Sequence, residues 1–361
     1  MDVISRRALN RTTLHRQSLL ARSTGPASGM IEHLVGMQAQ NPNDPYWALW
    51  SRLEGLTVDE LSGMISRREA VRGQLMRATI HLATTHDYLA IRPQLGPVFA
   101  RTLGSTVFAR DTTDVDREAL LAMARGLLEE RPMTRAELGP LLGERWPGIP
   151  VASLAQVATY LLPVIQVPPR GLWQQPGEAA WTTIESWVGR SLGAQSFAEG
   201  TIRRYLAAFG PASVGDMRMW SGMAGLREVV DRMRKPKLRR YRDERGTELL
   251  DLPQLSLVDE DTPAPPRFLP EYDNVLLGHN DRSRFFLEDI VPKAWTGNLL
   301  VDGVLSGAWK TAARRRPRLE IELARKISRS ELEAVSEEAE RLRAFTFPNI
   351  DDGEILLRRD Y

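Results

Sequence analysis

The chain has 361 residues, enough for two to four domains with substantial cores, and its 42% hydrophobic and 26% charged composition is that of an ordinary globular protein. It contains no cysteine, which excludes disulfides, thiol nucleophiles and the common structural zinc sites; five scattered histidines offer no ligand spacing, so no metal or other cofactor is expected. Net charge is only +2, and of 48 basic residues only Lys235, Lys237, Lys293, Lys310 and Lys326 are lysines, so any nucleic-acid role must come from where the arginines cluster.

No apolar run approaches the roughly 20 residues of a membrane span. Residues 1–20 alternate Arg with Leu and lack the apolar core of a signal peptide, which predicts a helix of a cytoplasmic protein. That helix is expected over Ser5 to Ala21, followed by a Ser-Thr-Gly-Pro turn. Met30, Leu34 and Met37 predict a second helix, Met30 to Gln40, that unwinds near Gln40 because Pro42 and Pro45 push Asn41 and Asp44 out of the helical region. In a continuous helix Gln38 and Gln40 would point to nearly opposite sides, so the unwinding is what would bring both amides to one cleft. Tyr46 and Trp47 could wall it. The plainer alternative is that both glutamines satisfy free carbonyls at a helix end while the aromatics pack in the core.

Thr57-Val58-Asp59-Glu60 has the spacing of a capping box, Thr134-Arg135-Ala136-Glu137 repeats it, and Ser213-Val214-Gly215-Asp216 is a weaker version. Each precedes a helical run, a turn, a second helix and a β-like segment. In the second case these are Ser153 to Leu162 and the strands Val164 to Val167 and Gly171 to Trp173; in the third, the stripe Leu226, Val229, Val230, Met233 and a hairpin over Leu238 to Leu252. Near-equal spacing of the three caps predicts three related modules of the winged-helix kind, although such caps occur at many helix starts. A linker, 259–266, ends the third. Beyond it, Leu299 to Trp309 reads as a hairpin turning at Asp302-Gly303, Arg318 to Leu323 as a strand, Ser328 to Phe345 as a helix and Glu354 to Leu357 as a last strand. Two basic clusters stand out. Arg232 to Arg245 is interrupted by acids, whereas Lys310 to Arg318, with Arg314, Arg315 and Arg316, is uninterrupted and lies between two β-segments, as a DNA-contacting tip would.

The run Gly36-Met37-Gln38-Ala39-Gln40, with Met76-Arg77-Ala78-Thr79-Ile80-His81-Leu82 and the segments Phe268 to Asp273 and Leu299 to Trp309, resembles the family of bacterial DNA glycosylases typified by AlkZ and YcaQ. The resemblance covers most of the chain, and its Gln-apolar-Gln form is one of two the family uses. It departs at Ala78, where the commoner form has Gly. It implies an α+β, mainly helical fold: three tandem winged-helix modules (1–113, 114–195, 196–260) in a C-shaped scaffold, and a C-terminal β-rich, barrel-like domain (264–361). It also implies a monofunctional hydrolase of bulky or crosslinked N7-alkylpurines, acting as a monomer on duplex DNA at the nucleoid, with possible relevance to self-resistance against a genotoxic natural product. Gln38 and Gln40 would be catalytic; Tyr46, Trp47, Arg77, His81, Lys310, Arg314, Arg315 and Arg316 would contact substrate or DNA. An N7-alkylated guanine is already cationic and leaves without protonation, so two amides that aim a water and steady an oxocarbenium-like sugar could suffice. No lysine lies near the motif in sequence to form a Schiff base. The rival readings are a non-enzymatic winged-helix transcriptional regulator and a small-molecule hydrolase, the latter without any Ser-His-Asp, phosphate-loop or metal motif.

Overall fold

A computed structural model describes residues 2–193, 198–287, 290, 293, 296–312, 317–348 and 353–359. Strand β1 (Val3–Ile4) leads into α1 (Arg6–Arg16), which is capped by the Ser5 hydroxyl and ends sooner than the sequence suggests. Next come α2 (Ala27–His33), β2 (Met37–Gln38), α3 (Asp44–Trp50), α4 (Val58–Ser66) and the hairpin β3 (Ala70–Gln74) and β4 (Ile80–Thr84). Helices α5 (Thr85–Ile91), α6 (Gly96–Gly104) and α7 (Val107–Asp111) connect to a second unit of the same order. It comprises α8 (Arg117–Glu130), β5 (Met133–Thr134), α9 (Arg135–Gly143), α10 (Val151–Leu161), β6 (Val164–Gln166) and β7 (Ala180–Thr183), and α11 (Ile184–Val188) follows. The third unit has α12 (Ala198–Phe209), a single bridge between Ala212 and Leu250, α13 (Val214–Ser221), α14 (Leu226–Lys237), β8 (Arg239–Asp243) and β9 (Glu248–Asp251). Helix, strand, helix, helix, hairpin is thus written three times.

Two of the three expected capping boxes are complete: Thr134 with Glu137 and Ser213 with Asp216. At the first, Thr57 accepts from the Glu60 amide, but the Glu60 carboxylate accepts from the Ala27 N–H and so caps α2 instead. The segment Gly171 to Trp173 is not a strand. Its Trp173 ring packs against Tyr46 and Trp47, and the hairpin partner of β6 is β7. The first two units share one six-stranded sheet, ordered β2-β4-β3-β6-β7-β5 and joined where Arg72 faces Gln166 and Gly73 faces Ile165. Strand β1 instead pairs in parallel with β8, so the start of the chain is tied to the third unit.

The C-terminal part holds β10 (Arg267–Leu269), α15 (Asn274–Leu277), β11 (Gly297–Val301), β12 (Val304–Ala312), β13 (Arg318–Leu323), α16 (Arg329–Thr346) and β14 (Glu354–Arg359). The β11–β12 hairpin turns at Asp302 (φ 50°) and Gly303 (φ 74°), the paired left-handed residues that an Asp-Gly turn favours. The expected barrel is not formed. The five strands β10-β11-β12-β13-β14 make an open sheet, since β14 joins β13 in parallel after α16 and does not reach β10. Val335, Ala339 and Leu342 of α16 are fully buried, so the helix covers the apolar face that closure would otherwise have hidden.

This part is fastened to the first unit by Arg52, just past α3, whose guanidinium grips both oxygens of Asp273 at 2.6 and 2.8 Å with neither side chain exposed. Asp273 also accepts from the Val275 N–H and so starts α15. Breaking such a pair leaves an uncompensated buried charge, so Arg52→Ala or Asp273→Ala should each cost roughly 3–5 kcal/mol in a denaturant melt. A loss under about 1 kcal/mol from both would show that the pair does not anchor the two parts.

Candidate active site

Helix α2 stops at His33, much earlier than the sequence suggests. Val35 (φ 57°) and Gly36 (φ 87°) are left-handed, and the Gly36 N–H closes the helix on the Ile31 carbonyl. A Cβ at Gly36 would meet the Leu82 carbonyl at 3.2 Å. The chain leaves as β2 and pairs antiparallel with β4, Met37 opposite Leu82 and Gln38 opposite His81, and the Ala39 N–H continues the ladder to the Ile80 carbonyl at 2.8 Å. Strand geometry, not unwinding, sets the segment: Gln38 stands on the sheet face of its partner His81, while Met37 and Ala39 enter the core on the other, and Gln40, past the end of the strand, lines a cavity with Arg72 and Gln74, whose register puts them on the face opposite to Gln38. The two amides are therefore not brought to one cleft as the sequence suggests. Pro45 does not expel Asp44 from helix either; it sits in the first turn of α3, where its missing N–H costs nothing.

Gln38 is 8% exposed and doubly fixed. Its Oε1 accepts from Arg77 Nη2 at 2.8 Å, and Arg77 Nη1 donates to the Trp220 carbonyl of α13 at 2.5 Å. On the backbone, the Gln38 N–H donates to Asn274 Oδ1 while Asn274 Nδ2 donates to the Gly36 carbonyl, so a side chain of α15 stands where a further strand would pair. Arg77 and Ala78, at the tip between β3 and β4, both have positive φ (55° and 57°). A left-handed residue explains why glycine suits position 78 in the family pattern. His81 is buried, and its Nδ1 lies 2.9 Å from the Thr79 carbonyl. Burial and the nearby Arg77 charge push its pKa down to about 3, so the ring is neutral at physiological pH.

Gln40 is exposed, its Oε1 3.4 Å from the Ile80 N–H. It borders a cavity of about 290 Å³ with Arg72, Gln74, Arg135 and Arg170. Arg72 is 2% exposed and donates to the Ala39 carbonyl at 2.6 Å and to Gln166 at 2.7 Å, which ties the glutamine strand to the second unit. Burial lowers the pKa of Arg72 and Arg135 to about 10, which leaves both charged at neutral pH. The Nε atoms of Arg72 and Arg170 and the Gln74 Oε1 are buried and have no hydrogen-bond partner among the described residues. These arginines escaped the sequence reading because they arrive singly, on β3, α9 and a loop; an Arg inside the otherwise buried strand β3 was the one hint.

Tyr46 does not wall this cleft: it is fully buried, its hydroxyl donating to the Gly171 carbonyl and meeting Ser62. Trp47 is 8% exposed, packs edge-on against Trp173 and Trp309, and borders a second cavity together with Asp44 and Lys310. Lys310 lies 3.3 Å from Glu320. Arg314, Arg315 and Arg316 lie outside the described residues, as do the side chains of Arg234, Lys235 and Lys237. Of the expected site, the structure gathers Gln38, Arg77 and His81, whereas Gln40 lines the arginine cavity and Trp47 and Lys310 line another. Among the described residues no His, Asp and Glu group could hold a metal ion, and no helix is long and apolar enough to cross a membrane.

Residues 31–345, which include both glutamines, match the family described as DNA glycosylase AlkZ-like. The chain belongs to that family. It is therefore a DNA glycosylase, which replaces the regulator and small-molecule readings. Among solved structures it is similar to the Streptomyces sahachiroi DNA glycosylase AlkZ, at 20% identity and a TM-score of 0.72 over 98% of this chain and 100% of that one, a likeness of fold. No curated protein matches it.

Asp44 supplies a test of the glycosylase's electrostatics. It is 2% exposed, its Oδ2 has no partner among the described residues, and burial, with Glu271 and Asp273 nearby, raises its pKa from 3.8 to about 8 despite Arg72. A raised carboxyl pKa means the folded state holds the proton more tightly, so this contribution to stability is complete below about 4 and is lost as pH rises through about 8. Asp44→Asn should thus match the wild-type melting temperature in acid and exceed it increasingly towards alkaline pH. A gap that stays constant across that range would contradict the shift.

Proposed function

We propose that this glycosylase is a monofunctional hydrolase of N7-alkylated purines in duplex DNA, bulky or crosslinked adducts included, and that Gln38 and Gln40 are its catalytic pair. The observation that supports the reading is how the two amides are placed: Arg77 fixes the Gln38 amide, and Gln40, two residues on, stands at the edge of an arginine-lined cavity. The three repeated units are read as winged helices in a C-shaped scaffold. Arg72, Arg135 and Arg170 take a phosphate beside the lesion, and Arg314, Arg315 and Arg316 take another. The protein acts as a monomer at the nucleoid, and a genotoxic natural product is a plausible origin of such lesions.

The chemistry follows from the leaving group. As the C1′–N9 bond breaks, its electrons neutralise the alkylated imidazolium, so no acid is required. The sugar becomes cationic, and the amide carbonyl dipoles stabilise it and orient the water whose oxygen bonds to C1′ and whose proton passes to solvent. Gln38 Oε1 has one lone pair committed to Arg77, which holds the other in a fixed direction. Arg77 is thereby a positioning residue. Water as nucleophile fits the pairing of Lys310 with Glu320, because a Schiff base needs a free neutral amine.

In single-turnover release from a duplex with a defined N7-alkylguanine, Gln38→Ala and Gln40→Ala should each fall at least about tenfold, roughly 1.4 kcal/mol of barrier, with folding intact. Arg77→Ala should lose a similar factor, partly recovered in Arg77→Lys. Strand scission should appear only after alkali, with no borohydride-trapped adduct. No release from simple or bulky adducts, with tight binding to one undamaged sequence, would overturn the reading.

A further inference from the structure

The residue after Gln40, Asn41, borders a second cavity, of opposite character to the arginine-lined one. It has a volume of about 190 Å³ and is lined by Asn41, Asp44, Trp47, Glu271, Trp309 and Lys310, among others. That is about six times the ~30 Å³ share of a water molecule, the room of one heterocycle. Its position is set by a turn in which the Asp44 N–H donates to the Asn41 carbonyl at 3.2 Å, placing Asp44 one turn after Gln40. The cavity is built: Asp44 is 98% buried with an oxygen that has no partner among the described residues, and Trp309 lies over Gly297, where any side chain would strike the indole. Its exposed rim includes Asn41 and Lys310, the latter offset by Glu320.

We propose that this cavity receives the cationic ring of the alkylated purine, the Asp44 and Glu271 carboxyls countering its charge and the indoles of Trp47 and Trp309, packed edge-on against each other, forming one wall, while the alkyl substituent leaves through the exposed rim. The inference rests on the reading of the substrate as an N7-alkylpurine. A carboxyl kept protonated by burial and by its acidic neighbours lacks a cation, and a positively charged guest supplies one. Indole faces add attraction for a cation and none for its neutral counterpart. A normal guanine is neutral, so the cavity discriminates damaged from undamaged base by charge, and it releases its grip when cleavage neutralises the ring. The arrangement sorts charge around Gln40: phosphate towards the arginines, cationic base towards the carboxyls.

The test compares two uncleavable duplexes, one with 7-methylguanine on a 2′-fluoroarabinose and one with the neutral 7-deaza-7-methylguanine, at slightly acidic pH where the first keeps its charge. Wild type should prefer the charged probe by about tenfold, or roughly 1.4 kcal/mol. Asp44→Asn and Glu271→Gln should each reduce that ratio, and the double variant should bring it within about twofold of unity. Melting curves establish that the variants fold. Equal binding of both probes by wild type, or a ratio unchanged in the double variant, overturns the cavity's role. Base release from the cleavable 7-methylguanine duplex is measured alongside: release by wild type with an unchanged ratio sinks only the cavity, whereas no release sinks the substrate reading and the cavity with it.

Discussion

The site depends on a buried pair of charges that does no chemistry. Arg52 and Asp273 are both fully sealed, and the carboxylate that receives the guanidinium also begins α15. The next residue, Asn274, reaches the Gly36 carbonyl and the Gln38 N–H. A two-residue strand is a weak element on its own, with one edge paired to β4 and the other open. Asn274 supplies the missing donor and acceptor on that open edge. The position of the Gln38 backbone is thus set by a residue 236 positions away. The side chain is set separately, by an arginine that reaches on to the third unit. Gln38 is held by the first unit, the third unit and helix α15 of the C-terminal part together, while Arg72 links the neighbouring Ala39 carbonyl to the second.

Such an arrangement has a cost that is visible in the protonation equilibria. Arg72 is charged and buried, Arg77 is charged and half-buried, Asp44 is buried with one oxygen unpartnered among the described residues, and His81 is kept neutral. Each is more expensive than an apolar side chain of the same size would be, and each lies within the short stretches that frame Gln38 and Gln40. Concentrated strain of this kind, together with the left-handed Val35, Arg77 and Ala78, marks the region as one where the fold gives up stability for geometry.

Local rules carried the sequence reading where a feature is encoded within a few residues. Asp302-Gly303 turns as a hairpin because both positions accept positive φ, and Thr134, Ser213 and Ser328 begin helices because their hydroxyls and the acids three residues later satisfy free amides. The same rules failed where a distant partner competed. Glu60 has the spacing to complete a capping box at Thr57 but bonds to Ala27 instead, and Gly171 to Trp173, strand-like in composition, is taken out of the sheet as Trp173 packs on Tyr46 and Trp47. The stripe Met30, Leu34, Met37 suggested a helix through Gln40 that the left-handed Val35 and Gly36 cut short.

By itself the sequence determined the threefold order of helices and hairpins, the absence of thiol chemistry and the pair of glutamines, since these rest on residue type and on spacings shorter than one element. Only the tertiary structure decided that Gln38 is held by Arg77 and Asn274, that Tyr46 is core, that three solitary arginines line the cavity at Gln40, and that two carboxyls and two indoles line the next cavity. These are statements about which residues meet across hundreds of positions. Burial and charge pairing at such distances follow from how the units dock, and local spacing does not encode docking.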